Sequence, residues 1–459
     1  MMGKYWVREK EKHPPLIILI STLLSLICIT SFLHTLHVSI DLYTTSEDSK
    51  VLAYITTFNP DVCRGLRVIR TWHVGRLYIF KVVERISRLK RLRDCWIYVV
   101  ERVNASVVSI IGSPYTLLNY RDVEYYKRVC LVRVPQYVHR FGWRLTGSGV
   151  TVCIIDSGVD YLHPELRDCV YVLVSLFYRK VNSSTYLTWI VGVNGSLEEA
   201  WMLDRYLYSE YGVFAWMDDN GHGTHVAGII ASRGLYGIRG LAPSVRLVVV
   251  RCFDREGLAS FDDCITALCW IYNNSEQFKI KVVNISWGCT GDNRGVDPLS
   301  LLIDYITQEK RIFFVCAMGN LGTMPFTVCI PACARYAISV GAYNTWNDTI
   351  ASFTSIGPTN DLRIKPDFLG AGVLIPSTKP VTVKSYLEEK LPQLVINDYY
   401  MLLSGTSMSA PCITAVVASI LEQHPDITYN KLIELLREHC IKLTFTKDVV
   451  CGFGIPRVG

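Results

Sequence analysis

Ser407 lies in the stretch GTSMSAP, Gly405–Pro411, which holds a second serine and no charged residue. A serine hydroxyl is a weak nucleophile at neutral pH and needs a neighbouring base, itself oriented by a third group. Neither lies within the heptapeptide, so the rest of the chain must supply them. Two other polar stretches offer candidates. Asp156 closes the apolar run VTVCIID and is followed by Ser-Gly, where the chain must turn. His222 stands between glycines in DDNGHGTHVAGIIAS, at the mouth of an apolar helix. Taken singly, a strand-end aspartate is a turn former and a lone histidine is usually structural. HGTH lacks the glutamate and spacing of HExxH, which excludes that zinc motif.

The surrounding pattern says how such residues could be brought together. Runs rich in β-branched residues occur at 150–156, 245–253, 280–286, 311–317 and 336–342, with helical stretches between them. SFDDCITALCWIYNN opens with Ser260 and carries Asp263 three residues on, a variant of the capping box. Near-continuous apolar strands alternating with helices predict a parallel sheet covered on both faces, with ligand sites beyond the strands' carboxyl ends. A smaller unit precedes it, with VLAYITTF, GRLYIFKVV and IYVVERV as strands and PDVCRGLRVIRTW and ERISRLKRLRDCW as helices.

With 50% hydrophobic and 19% charged residues, the 459-residue chain is not of the disordered class. A net charge of +6 is small for this length, and RISRLKRLR reads as a helix with a solvated basic face rather than a nucleic-acid site. Leu16–Leu33 carries no charge and follows a basic flank, the pattern of a secretory signal or a signal anchor. Sixteen cysteines agree with export to an oxidising space and predict disulfides, although several, such as Cys153, sit inside apolar strands as buried thiols would.

Together, IIDSGVD around Asp156, GHGTHVAG around His222 and SGTSMSAP around Ser407 resemble, in order, three motifs of the subtilisin family of serine proteases. The resemblance covers roughly Thr146 to Pro456. It implies an α/β, subtilisin-like three-layer fold with a central, mainly parallel sheet, preceded by a small α+β ferredoxin-like propeptide domain. It further implies that Ser407 is the nucleophile, His222 its base and Asp156 the group that fixes the imidazole tautomer. Asn320, in CAMGNLGT, matches the family's oxyanion-hole asparagine, and Ser286, Trp287 and Gly288, in NISWGC, match a substrate-binding strand.

The implied organisation is a signal peptide or anchor at 1–34, an inhibitory propeptide-like domain at 50–103, a linker with the processing site at 104–136, and a catalytic domain at 137–459. Asp156 and His222 are 66 residues apart, more than in compact family members, which implies an insertion within 170–216. Its aromatic content reads as a folded lobe near the substrate cleft, with a disordered loop as the alternative. The implied function is a secreted or membrane-anchored serine endopeptidase, acting through an acyl-enzyme and autoprocessed from a zymogen. A catalytically inactive binding scaffold is the alternative, and the intact Asp156, His222, Ser407 and Asn320 argue against it. Its partners would be protein or peptide substrates and its own propeptide, with a membrane if the N-terminal helix is retained, and no nucleic acid. No cofactor is required. The family uses calcium as a structural ion, but SRGLYGIRG stands at the place of its calcium loop without a carboxylate or amide.

Overall fold

A computed structural model describes residues 50–100, 107–109, 145–177 and 186–456. The N-terminal apolar run, most of the linker and residues 178–185 of the insertion lie outside the described residues. Two compact units divide the chain: Val51–Val83 with Arg93–Gly459, and Met1–Lys50 with Glu84–Leu92. The described part of the second includes the short helix α1 (Ile86–Leu89) and an Arg88–Glu84 ion pair of 3.0 Å.

The N-terminal sheet runs in the order β2-β3-β1-β4, from β1 (Lys50–Thr57), β2 (Val68–Val74), β3 (Leu77–Arg85) and β4 (Cys95–Val100). By sequence, PDVCRGLRVIRTW reads as a helix throughout. Only Pro60–Cys63 is helical, and Val68–Val74 is a strand that pairs antiparallel with β3. Gly65 at φ 78 interrupts the helix, and VIRTWHV then turns Trp72 and Val74 inward at the period of a strand. The sheet lies on helix α4 (Phe261–Phe278). Tyr54 Oη donates to Asp262 at 2.6 Å, Lys81 Nζ reaches the same carboxylate at 3.0 Å, and Trp72 Nε1 donates to Thr266 at 3.1 Å.

A nine-stranded sheet forms the centre. Its path comprises β6 (Thr151–Asp156), β7 (Val170–Ser175), β8 (Leu187–Ile190), β9 (Arg246–Arg251), β11 (Ile280–Ile285), β12 (Phe313–Ala317), β13 (Ala337–Asn344) and β14 (Thr349–Ile350), with β15 (Phe368–Ala371) beside β13. Pairings are parallel except β7–β8 and β13–β14 at the two edges. Successive β6 residues face opposite layers. Val152 and Ile154 join a core with helices α2 (Leu197–Tyr211), α3 (His222–Ala231) and α6 (Thr406–Gln423). Cys153 and Ile155 join one with α4 (Phe261–Phe278) and α5 (Pro298–Lys310). Two small ladders complete the positioning elements: β5 (Val107–Ser109) with β10 (Leu258–Ser260), and β16 (Ile375–Thr378) with β17 (Tyr400–Leu403).

The insertion does not form a separate lobe where it is described. Its strand β8 extends the central sheet, and α2 buries Leu197, Ala200 and Leu207 in the main core. Ser196 and Glu199 close a reciprocal cap at the start of α2, and Gly212 at φ 68 ends it. Such a cap contributes about 1 kcal/mol. The disulfide expectation is not met among the described residues, whose 14 cysteines form no disulfide. Ten of them are buried as small apolar side chains, and the Cys252 and Cys264 sulfurs come to 3.9 Å.

Candidate active site

Three adjacent strands deliver the predicted residues to one end of the sheet. Asp156 ends β6, and Ile155 pairs with Ile285, so Asp156 and Ser286 leave neighbouring strands at the same level. Ile285 pairs in turn with Cys316 of β12, from which the chain runs through Ala317 to Asn320. All lie past the carboxyl ends of parallel strands, where such sheets hold ligands.

His222 is the first residue of α3, and its Nδ1 lies 2.8 Å from Asp156 Oδ1, both side chains being buried. A ring nitrogen facing a carboxylate carries the proton, which leaves Nε2 as the acceptor. Nε2 is buried and has no hydrogen-bond partner among the described residues. A Cβ at residue 223 would stand 2.1 Å from Gly158 O and 3.2 Å from Asp156 Cβ. Glycine is needed there because any side chain would lift the histidine off its carboxylate. Asp218 orders the approach to α3. It accepts from Gly221 N at 2.8 Å, Thr224 N at 2.7 Å, Thr224 Oγ1 at 2.6 Å and Ser157 Oγ at 2.9 Å. Burial pushes its carboxyl above the usual range, against the pull of these hydrogen bonds.

Ser407 is the second residue of α6, where main-chain N–H groups and the helix dipole favour negative charge. Its hydroxyl donates to Ser286 O at 2.7 Å, while Ser286 Oγ donates back to Ser407 O at 2.8 Å. Asn284 Nδ2 donates to Ser286 Oγ, and Thr414 Oγ1 to Asn284 Oδ1, each at 2.8 Å. Asn320 Oδ1 accepts from Thr406 N at 2.9 Å and Thr406 Oγ1 at 3.0 Å. The amide oxygen therefore faces Thr406, and Nδ2 lies beside Gly405, where an added Cβ would approach it to 3.2 Å.

Of the three substrate-strand candidates, Ser286 touches Ser407 directly. Trp287 is fully buried, donates from Nε1 to Ile155 O at 2.8 Å and packs on Phe253, so its side chain is core. Gly288 leads into Cys289, which bridges to Ile330. Burial, and then the nearby His222, push His225 down to about 3. Its Nε2 faces the carbonyls of Ile375 and Met401, so it is a neutral structural donor.

Sequence reasoning missed β10. Val107–Ser109 lies along it as an antiparallel strand, although 104–136 reads as patternless linker. The signal is slight, three residues from Leu258 to the Ser260 cap itself. The structure also answers whether SRGLYGIRG fits a cation. Glu165, with no solvent exposure, accepts from Leu235 N at 2.9 Å, Tyr236 N at 2.7 Å, Ser232 Oγ at 3.2 Å and Tyr400 Oη at 2.5 Å. A cation needs inward oxygen acceptors. This loop turns donors inward onto a carboxylate, so its residues do not fit calcium.

A sequence model of peptidase S8, the subtilase family, matches residues 147–454. Serine protease AprX of Bacillus subtilis (strain 168) is 31% identical over 315 residues, covering 65% of this chain and 63% of that protein. Minor extracellular protease Epr of the same strain is 31% identical over 245 residues, covering 52% of this chain and 33% of that one. The chain thus spans less than two thirds of either relative. The solved structure of sphericase superposes with a TM-score of 0.55 at 22% identity, covering 72% of this chain and 98% of that one, a likeness of fold. With strand ends, caps and the family match in agreement, this chain belongs to the subtilase family, peptidase S8.

Proposed function

We propose that the protein is a serine endopeptidase, exported and made as a zymogen, in which Asp156, His222 and Ser407 form the catalytic triad. The observation that carries this reading is the buried His222–Asp156 pair, with Nε2 lacking a partner among the described residues. An unpaired buried polar atom costs about 1–3 kcal/mol, and rotation of the Ser407 hydroxyl toward Nε2 would give it a partner in exchange for the bond to Ser286 O. His222 then takes the Ser407 proton as Oγ attacks the substrate carbonyl, and Asp156 stabilises the imidazolium. Asn320 Nδ2 and Ser407 N–H would hold the oxyanion. His222 returns its proton to the leaving amine, and water resolves the acyl-enzyme.

The zymogen reading draws support from β5. It is a segment of the chain itself, lying antiparallel on the exposed-edge strand β10 as a substrate or product strand would by strand addition. A relative named as an extracellular protease, together with the apolar Leu16–Leu33 run, supports export. Among the described residues, no helix is long and apolar enough to cross a membrane.

Full-length protein and its Ser407→Ala variant test this reading. Wild type should hydrolyse a denatured protein substrate and acquire a new N-terminus within 104–136, and the variant should do neither. Processing of the purified variant would remove the self-cleavage reading, and peptide hydrolysis by it would remove the assignment of Ser407.

A further inference from the structure

We infer that Asp204, on helix α2 of the insertion, is a positioning residue for His222: its carboxylate gathers the chain just ahead of the histidine's loop and sets where the base stands. The inference rests on the proposed role of His222. Asp204 is fully buried. Its Oδ1 accepts from the N–H of Ala215 and, at 3.2 Å, of Trp216, and its Oδ2 accepts from Met217 N at 2.8 Å and Tyr161 Oη at 3.0 Å. Three consecutive main-chain donors thus converge on one carboxylate. The next residue, Asp218, carries its own cradle of donors up to Thr224, and Asn220 Oδ1 accepts the His222 N–H at 3.1 Å.

The other side of the pair is tied to the same place. Tyr161 lies five residues beyond Asp156, and Val159 N donates to Trp216 O at 3.3 Å. Arg251, opposite Asp156 across the β6–β9 pairing, donates to Met217 O and reaches Asp219 at 2.7 Å. Asp204 therefore holds the one segment on which the supports of both Asp156 and His222 converge. Burial raises its carboxyl to about 6, so keeping it ionised opposes folding. An apolar side chain could anchor α2 without that opposition, but it could not fix three N–H groups.

The test uses full-length protein carrying Asp204→Asn, which keeps the size but turns an amide NH2 toward main-chain donors. A misplacement of about 1 Å costs on the order of 100-fold in rate. We expect kcat to fall roughly 10- to 100-fold with KM within about 3-fold. Labelling of Ser407 by a fluorophosphonate should slow by the same factor, and the downfield NMR resonance of the His222 Nδ1 proton should shift. Glu198→Gln, at the exposed start of α2, removes the ion pair with Arg167 and should leave all three readouts unchanged. A folded Asp204→Asn protein with wild-type kcat, labelling and resonance would overturn the inference. If that variant does not fold, Tyr161→Phe removes one bond to Oδ2 and carries the test, with a smaller loss supporting the inference and wild-type readouts overturning it. Should wild type itself neither hydrolyse nor label, the endopeptidase reading fails, and the resonance alone then decides for or against Asp204.

Discussion

Helix α3 is bracketed by two loops, each wrapped around one buried carboxylate. Asp218 gathers the loop ahead of it and Glu165 the loop behind it. Asp218 takes three main-chain N–H groups and Glu165 two, each together with hydroxyls. They differ in what lies next. Asp218 is four residues from His222, whereas the Glu165 loop leads through Arg239 to the start of β9. They also differ in depth. Burial wins at Asp218 and raises its carboxyl. At Glu165 burial is opposed by bonds from Tyr400, Tyr236, Leu235 and Ser232, which together hold the carboxyl below its usual value. Its cover is thin, since Leu235 and Tyr236 are exposed. If His222 is the base proposed above, one device serves chemistry at one end of a helix and stability at the other.

The comparison breaks most easily at its catalytic end. Asp218→Ala should lower kcat on the order of 100-fold while the protein stays folded, because the loop bearing His222 loses its organiser. Steady-state kinetics with a peptide substrate measure this, and unchanged turnover would show that the loop holds itself. Glu165→Gln should act the other way, lowering stability by about 2 kcal/mol in denaturant unfolding and leaving kcat within about 3-fold.

A smaller effect lies in the pH dependence. Glu165 has a depressed folded pKa, so its stability contribution is present above the unfolded carboxyl range and is lost as pH falls through the folded value. Asp218 has a raised one, so its contribution is full below the unfolded value and is lost as pH rises through the folded value. Melting of Glu165→Gln and Asp218→Asn against wild type should therefore show opposite trends between acid and neutral pH. Matching trends would erase the distinction. The smallest expected effect is none. The difference in Tm between wild type and Glu165→Gln should be the same with and without a calcium chelator, and a difference that collapses in chelator would show that Glu165 binds a cation.

The central sheet was legible because its strands are continuous apolar runs bounded by polar turns, as in VTVCIID and RIFFVCA. Helix α4 announced itself through Ser260 and Asp263, whose cap is present at 3.1 Å. The N-terminal unit was harder. VIRTWHV follows a helix-compatible PDVC, and only its partner β3 decides that it is a strand. Asp156, His222 and Ser407 stood out because glycine and small residues crowd each motif. Asp204, Asp218 and Glu165 did not. Each is a carboxylate in a charged neighbourhood, and its role depends on main-chain donors that no side-chain pattern records. The three-residue β10 is likewise too short to carry a periodic signal.

The proposed chemistry depends on the pairing of Ser407 with His222. Full-length protein treated with a fluorophosphonate, then digested and mapped by mass spectrometry, tests it most directly. A single adduct on Ser407 is predicted, absent in Ser407→Ala and at least about 100-fold slower to form in His222→Ala, as expected for loss of a general base. An adduct on Ser404 or Ser409, or undiminished labelling in His222→Ala, would contradict it.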